Sequence, residues 1–127
     1  MPDGNPAPGF VRQPDRVMNY TPAGKRVRVT FNGESIADSQ AAIGLQEADY
    51  PVAYYIPRAD VRMELLRRND NSTHCPFKGD ASYWSIDAKG KIAENAVWSY
   101  ETPFDEAEVI KEYIAFYSSK VDAMEIE

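Results

Sequence analysis

The chain has 127 residues, 43% of them apolar and 27% charged, which fits one domain with its own core, excludes a disordered chain, and leaves no apolar run near the roughly 18 residues of a membrane span. Fourteen basic against twenty acidic residues give a formal charge of -6, a field that repels phosphate backbones and disfavours nucleic acid as a partner. A single cysteine, Cys75, excludes an intramolecular disulfide and a four-thiolate zinc ribbon, and the start Met1-Pro2-Asp3-Gly4-Asn5 lacks a secretory apolar segment, so the cytosol is the expected location.

Residues 1–24 contain five of the nine prolines, which remove amide donors and fix φ, so this stretch reads as an extended tail. Val17, Met18 and Tyr20 in its inner part are expected to lie along the surface of a single domain spanning 25–127, while the first dozen residues, with little to bury, are expected to be mobile. From Lys25 the pattern alternates: Val27, Val29 and Phe31 face one way and Arg26, Arg28 and Thr30 the other, the period of a half-buried strand. Asn32-Gly33 then predicts a tight hairpin, because both residues tolerate positive φ, with Ile36 pointing inward on the return strand. Ala41 to Glu47 reads as a third strand around Ile43 and Leu45, and Val52 to Ile56 as a fourth, bracketed by Pro51 and Pro57.

A turn at Arg58-Ala59-Asp60-Val61 precedes Met63–Arg68, whose pattern fits a strand or a short helix and is read as a strand, and Asn69-Asp70-Asn71-Ser72 reads as a polar loop. Ala81 to Asp87 and Lys91 to Tyr100, separated by Ala88-Lys89-Gly90, form a second hairpin. In it Trp98 and Tyr100 share one face, and Val97 and Ser99 the other. Thr102-Pro103-Phe104-Asp105 has the composition of a helix start, and Ala107, Ile110, Tyr113 and Ile114 recur at helical spacing, predicting one amphipathic helix near residues 103–113. A terminal strand follows within Val121–Ile126. The fold class is therefore mainly β, a compact antiparallel barrel or a two-sheet domain with one helix.

His74 and Cys75 are the only members of their residue types and adjoin Lys78 and Gly79. A thiolate beside a cation is the reactive form of cysteine, which makes Cys75 and His74 the candidate catalytic pair, while the bland alternative for Cys75 is a small apolar filler. Neighbours in extended chain point opposite ways, which weakens direct His74–Cys75 pairing. Asp60 or Asp80 would have to complete a metal set with no recognised spacing, so no metal or cofactor is expected. Lys78-Gly79 lacks the earlier glycine and the Lys-Ser/Thr order of a phosphate loop. Arg58, Arg62, Arg67 and Arg68 read as a solvated basic face or as a site for one anionic group.

Four blocks in order resemble the DUF427 family: Val27-Arg28-Val29-Thr30-Phe31-Asn32-Gly33-Glu34 with Ala37-Asp38-Ser39, then Tyr54-Tyr55-Ile56-Pro57-Arg58-Ala59-Asp60-Val61, then the run from His74 to Trp84, then Val97-Trp98-Ser99-Tyr100. The resemblance spans about residues 26–120. It implies a β-rich domain of complex topology, similar to the tent-like sheets of Mss4-like and methionine sulfoxide reductase B-like proteins, and places Tyr55, Pro57, Arg58, Asp60, Cys75, Pro76, Lys78, Gly79, Tyr83, Trp84, Trp98 and Tyr100 at signature positions. The paired Cys-x-x-Cys of those zinc-holding relatives is absent here. A nucleotidyltransferase-like label attaches to the family, and would require magnesium-binding carboxylates, with Asp38 and Asp60 as candidates.

The expected function is a pocket for a small anionic ligand beside the His74–Gly79 segment. Arg58 and Lys78 would hold the anion, Asp60 would pair with Arg58 or touch the ligand, Tyr55, Tyr83 and Trp98 would form a wall, and Cys75 or His74 would do any chemistry. The alternatives are a non-catalytic protein-interaction module and a nucleotidyltransferase-like enzyme.

Overall fold

The computed structural model describes residues 4–127. Ten strands follow a short helix, α1 (Gly9–Arg12): β1 (Met18–Pro22), β2 (Val27–Phe31), β3 (Glu34–Ser39), β4 (Ile43–Glu47), β5 (Ala53–Tyr55), β6 (Leu66–Cys75), β7 (Gly79–Ala88), β8 (Lys91–Ser99), β9 (Ala115–Phe116) and β10 (Ala123–Ile126). Among the described residues they form three antiparallel sheets, ordered β1-β4-β5, β10-β2-β3 and β6-β7-β8-β9, with no closed barrel. Among the described residues no helix is long and apolar enough to cross a membrane.

Both predicted hairpins form, and the first for the predicted reason. Asn32 and Gly33 sit at φ 49° and 79°, and Lys89 and Gly90 at 51° and 82°, the two successive left-handed residues that match the strands' own twist. The alternation of β2 places Val27, Val29 and Phe31 in the core. A bulge opposite Val29 and Thr30 in β3 allows the neighbours Ile36 and Ala37 both to be buried, since an extra residue breaks strict alternation.

The four-stranded sheet is central and feeds two cores, because neighbours along a strand point to opposite faces. Trp84, Ile86, Val97 and Phe116 pack with β2 and β3 against Val27, Val29 and Ile36. On the other face Ala81, Tyr83, Trp98 and Ala115 pack with β4 and β5 against Leu45 and Tyr55. Both flanking strands bulge beside the middle of β7, between Arg68 and Ser72 and between Ala93 and Val97, and Asn69 Nδ2 donates to Asn95 Oδ1 at 2.8 Å between them. The expected polar loop at Asn69–Ser72 is thus the bulged middle of β6.

Met18–Pro22, in the stretch read as an extended tail, pairs with Ile43–Glu47 as a full member of the first sheet. Residues before it pack on the body: Ala7 is buried, Gly9 N donates to Pro76 O at 2.9 Å, and Asn5 N donates to Asp105 Oδ2 at 2.7 Å. The segment expected to be helical is a kinked 3₁₀ stretch, Asp105–Ile110, with Ala107 at φ -109°. Phe104 N donates to Lys78 O, Glu112 turns left-handed at φ 65°, and Ile114 exchanges backbone bonds with Ile56. Tertiary partners at both ends pull the chain out of α-helical spacing, although Ala107 and Ile110 still bury fully.

Candidate functional site

The turn Pro76-Phe77-Lys78 closes the β6–β7 hairpin, and its geometry decides which predicted residues meet. Gly79 adopts φ 122°, and a Cβ there would stand 3.3 Å from Pro103 Cα, so only glycine fits both the backbone and the space. Register places Cys75 opposite Gly79 and Thr73 opposite Ala81 on the inner face, and His74 opposite Asp80 on the other.

The inner face collects five of the eight candidate residues: Tyr55, Cys75, Lys78, Tyr83 and Trp98. Lys78 Nζ donates to Glu47 Oε1 at 3.0 Å, with only 11% of the Lys78 side chain exposed, and lies 5.5 Å from the Tyr100 ring centre. Arg16 Nη2 donates to the other oxygen of Glu47 at 2.6 Å. Burial pushes the Glu47 carboxyl up, but the hydrogen bonds from Arg16 and Lys78 outweigh it and hold Glu47 below its ordinary value. For Lys78 burial favours the neutral amine, and the Glu47 carboxylate bonded to it counters this, so the ammonium is retained. Trp98 Nε1 donates to the Tyr55 hydroxyl at 3.4 Å, and Tyr83 shares hydroxyl contacts with Thr73 at 3.0 Å and Tyr117 at 3.3 Å. Burial, first among the causes, raises Tyr20, Tyr55 and Tyr100, so these phenols stay protonated and act as donors. Half-buried Cys75 packs against the same cluster.

Three candidates lie elsewhere. Arg58 does not pair with Asp60: its Nε donates to Glu112 O at 3.1 Å, its Nη2 lies 3.5 Å from Glu101 Oε2, and its guanidinium stands 5.4 Å from the Trp84 ring centre. Arg68 approaches the same indole at 5.1 Å and bonds Glu101 at 2.7 Å. Asp60 accepts from Ser39 Oγ at 2.7 Å, because the 3₁₀ turn Arg58–Asp60 sends the two side chains apart. His74 is exposed, with Nδ1 2.7 Å from Asp80 Oδ1, and does not meet Cys75. Asp38 is held by Arg26, so Asp38 and Asp60 do not form a carboxylate pair, and Arg62 and Arg67 each face carboxylates.

Arg16, Tyr20, Glu47 and Tyr100 belong to the inner cluster although only Tyr100 had a motif to mark it. Arg16 and Tyr20 precede the expected domain boundary, and Glu47 ends an ordinary strand; the available signal was the apolar i, i+2 pair Met18 and Tyr20. The Arg16 Nε and the Tyr20 hydroxyl are buried and have no hydrogen-bond partner among the described residues. In comparison with known proteins, a family model described as a domain of unknown function (DUF427) matches residues 19–127. No curated protein matches the sequence.

Proposed function

The chain belongs to the DUF427 family, and we propose that this member binds a small molecule through an anionic group at the inner cluster, between Arg16 and Lys78, with Tyr20, Tyr55 and Tyr100 as hydroxyl donors and Tyr83 and Trp98 as a wall. The observation that carries this reading is a charge imbalance: two cations share the one carboxylate of Glu47. A surplus positive charge in a region mostly closed to water is costly unless an anion meets it. The unspent Arg16 Nε and Tyr20 hydroxyl supply donors of the right kind for a carboxylate or phosphate oxygen.

Cys75 reports on this interior. Its rate of alkylation by iodoacetamide in the native protein is expected to fall severalfold on adding inorganic phosphate or acetate at constant ionic strength, and the protection is expected to vanish in Lys78→Met. Labelling that ignores both anions, or protection that persists in Lys78→Met, would overturn the reading. A thiol that then labels no faster than a model thiol assigns Cys75 a packing role beside the ligand instead of a nucleophilic one.

A further inference from the structure

A cleft of about 390 Å³ opens where the N-terminal segment crosses the β6–β7 hairpin, lined by Pro8, Arg12, Gln13, His74, Pro76 and Phe77, with Gly9 at its base. This volume lies within the range of small-molecule sites. None of these residues belongs to the inner cluster.

The two walls are held at fixed spacing. Gly9 N donates to Pro76 O at 2.9 Å, and a Cβ on Gly9 would stand 2.7 Å from the Phe77 ring. The Phe77 ring is fixed in turn by the edge of Phe10 at 5.1 Å and the Arg16 guanidinium at 5.1 Å. A rigid junction of this kind does not pay the ordering cost that a mobile loop would on binding.

Its polar groups are oriented and unspent. Asp80 engages His74 Nδ1 at 2.7 Å, and Phe104 meets the imidazole edge-to-face at 6.1 Å. Nε2 is therefore the ring nitrogen left for a ligand, and in the imidazolium, with Nδ1–H on Asp80, it donates Nε2–H to a carboxylate oxygen. Arg12 is exposed and, among the described residues, takes part in no ion pair. Its planar guanidinium matches a carboxylate bidentately. Exposed Pro8 and Pro76 offer apolar rings between these polar groups.

We propose that this cleft binds a small organic acid, its carboxylate on Arg12 and His74 Nε2 and its apolar body against Pro8 and Pro76. The site is separate from the inner cluster and stands whether or not that cluster binds an anion.

The protein's one histidine gives a single imidazole Cε1–H resonance, which reads the site directly by NMR. Titration with benzoate at constant ionic strength is expected to move this resonance along a saturable curve in the millimolar range. Arg12→Gln is expected to weaken binding roughly fivefold or more through loss of a charge-assisted contact, whereas Lys78→Met is expected to leave the curve unchanged. Acetate, which has the carboxylate and little apolar body, is expected to bind more weakly than benzoate. A non-saturating drift to tens of millimolar, or the same curve in wild type and Arg12→Gln, would refute the site. A curve abolished by Lys78→Met in a folded protein would also refute it, by moving the anion to the inner cluster.

Discussion

Replacing Glu47 by Gln keeps the shape of the inner cluster and removes the charge that holds it together. Arg16 and Lys78 would then face each other across an amide, with 21% and 11% of their side chains exposed. Breaking a fully buried pair costs about 3–5 kcal/mol; the water that reaches these partly exposed side chains brings the expectation here to about 2–3 kcal/mol. For a chain of this size that corresponds to a fall in Tm of roughly 6–12 °C. The effect has a definite pH dependence. Because the folded-state value of Glu47 lies below its ordinary one, the unfolded chain takes up the proton first as pH falls. The stabilisation is fully present above the ordinary glutamate range, about 4.3, and is lost as pH drops through the lower folded value. Urea unfolding of wild type and Glu47→Gln should therefore show the full gap at pH 7 and a shrinking gap below about pH 4. A gap under about 0.5 kcal/mol at pH 7, within the range of an ordinary surface substitution, would refute the reasoning, as would a gap that does not narrow in acid.

Gly79→Ala should cost about 2 kcal/mol in urea unfolding, from a left-handed backbone that alanine resists and a 3.3 Å approach to Pro103 Cα; near-wild-type stability would show that the turn relaxes. Tyr20→Phe removes a buried hydroxyl without a protein partner, and should be neutral or stabilising by up to about 1 kcal/mol while reducing phosphate protection of Cys75. Clear destabilisation in an anion-free buffer would show that the hydroxyl already has a firm partner.

What was legible in the sequence was local. Asn32-Gly33 and Lys89-Gly90 announce their hairpins because two consecutive left-handed residues are rare except where glycine follows a tolerant residue. The inward set Val27, Val29, Phe31 and the shared face of Trp98 and Tyr100 follow from period two alone. The helix near 103–113 failed because Thr102 and Pro103 signal a start while the end is decided elsewhere: Ile114 is claimed by Ile56, 58 residues away in sequence if counted from 114 to 56. The inner cluster failed in part for the same reason. Arg16 and Lys78 each reach Glu47 across 31 positions, a separation no spacing rule covers, and a proline-rich composition concealed that residues 18–22 form a strand. Arg58 and Asp60 are close in sequence and still diverge, since a 3₁₀ turn rotates their side chains to different neighbours.

The two faces of the central sheet differ in a way that packing alone does not require. The face toward β2 and β3 is closed by valine, isoleucine, alanine and phenylalanine around Trp84, which suffices to hold a sheet in place. The opposite face carries five of the eight tyrosines, with Cys75 and Trp98, and Lys78 beneath Tyr100. Buried phenols demand partners, and some find them: Tyr83 in Thr73 and Tyr117, Tyr55 in Trp98. Tyr20 does not. A face built only for stability would replace such a residue by phenylalanine at no loss, and would not set two cations on one carboxylate. Buried polarity retained at a cost to stability is the pattern expected where a sheet holds a polar guest as well as its own neighbours.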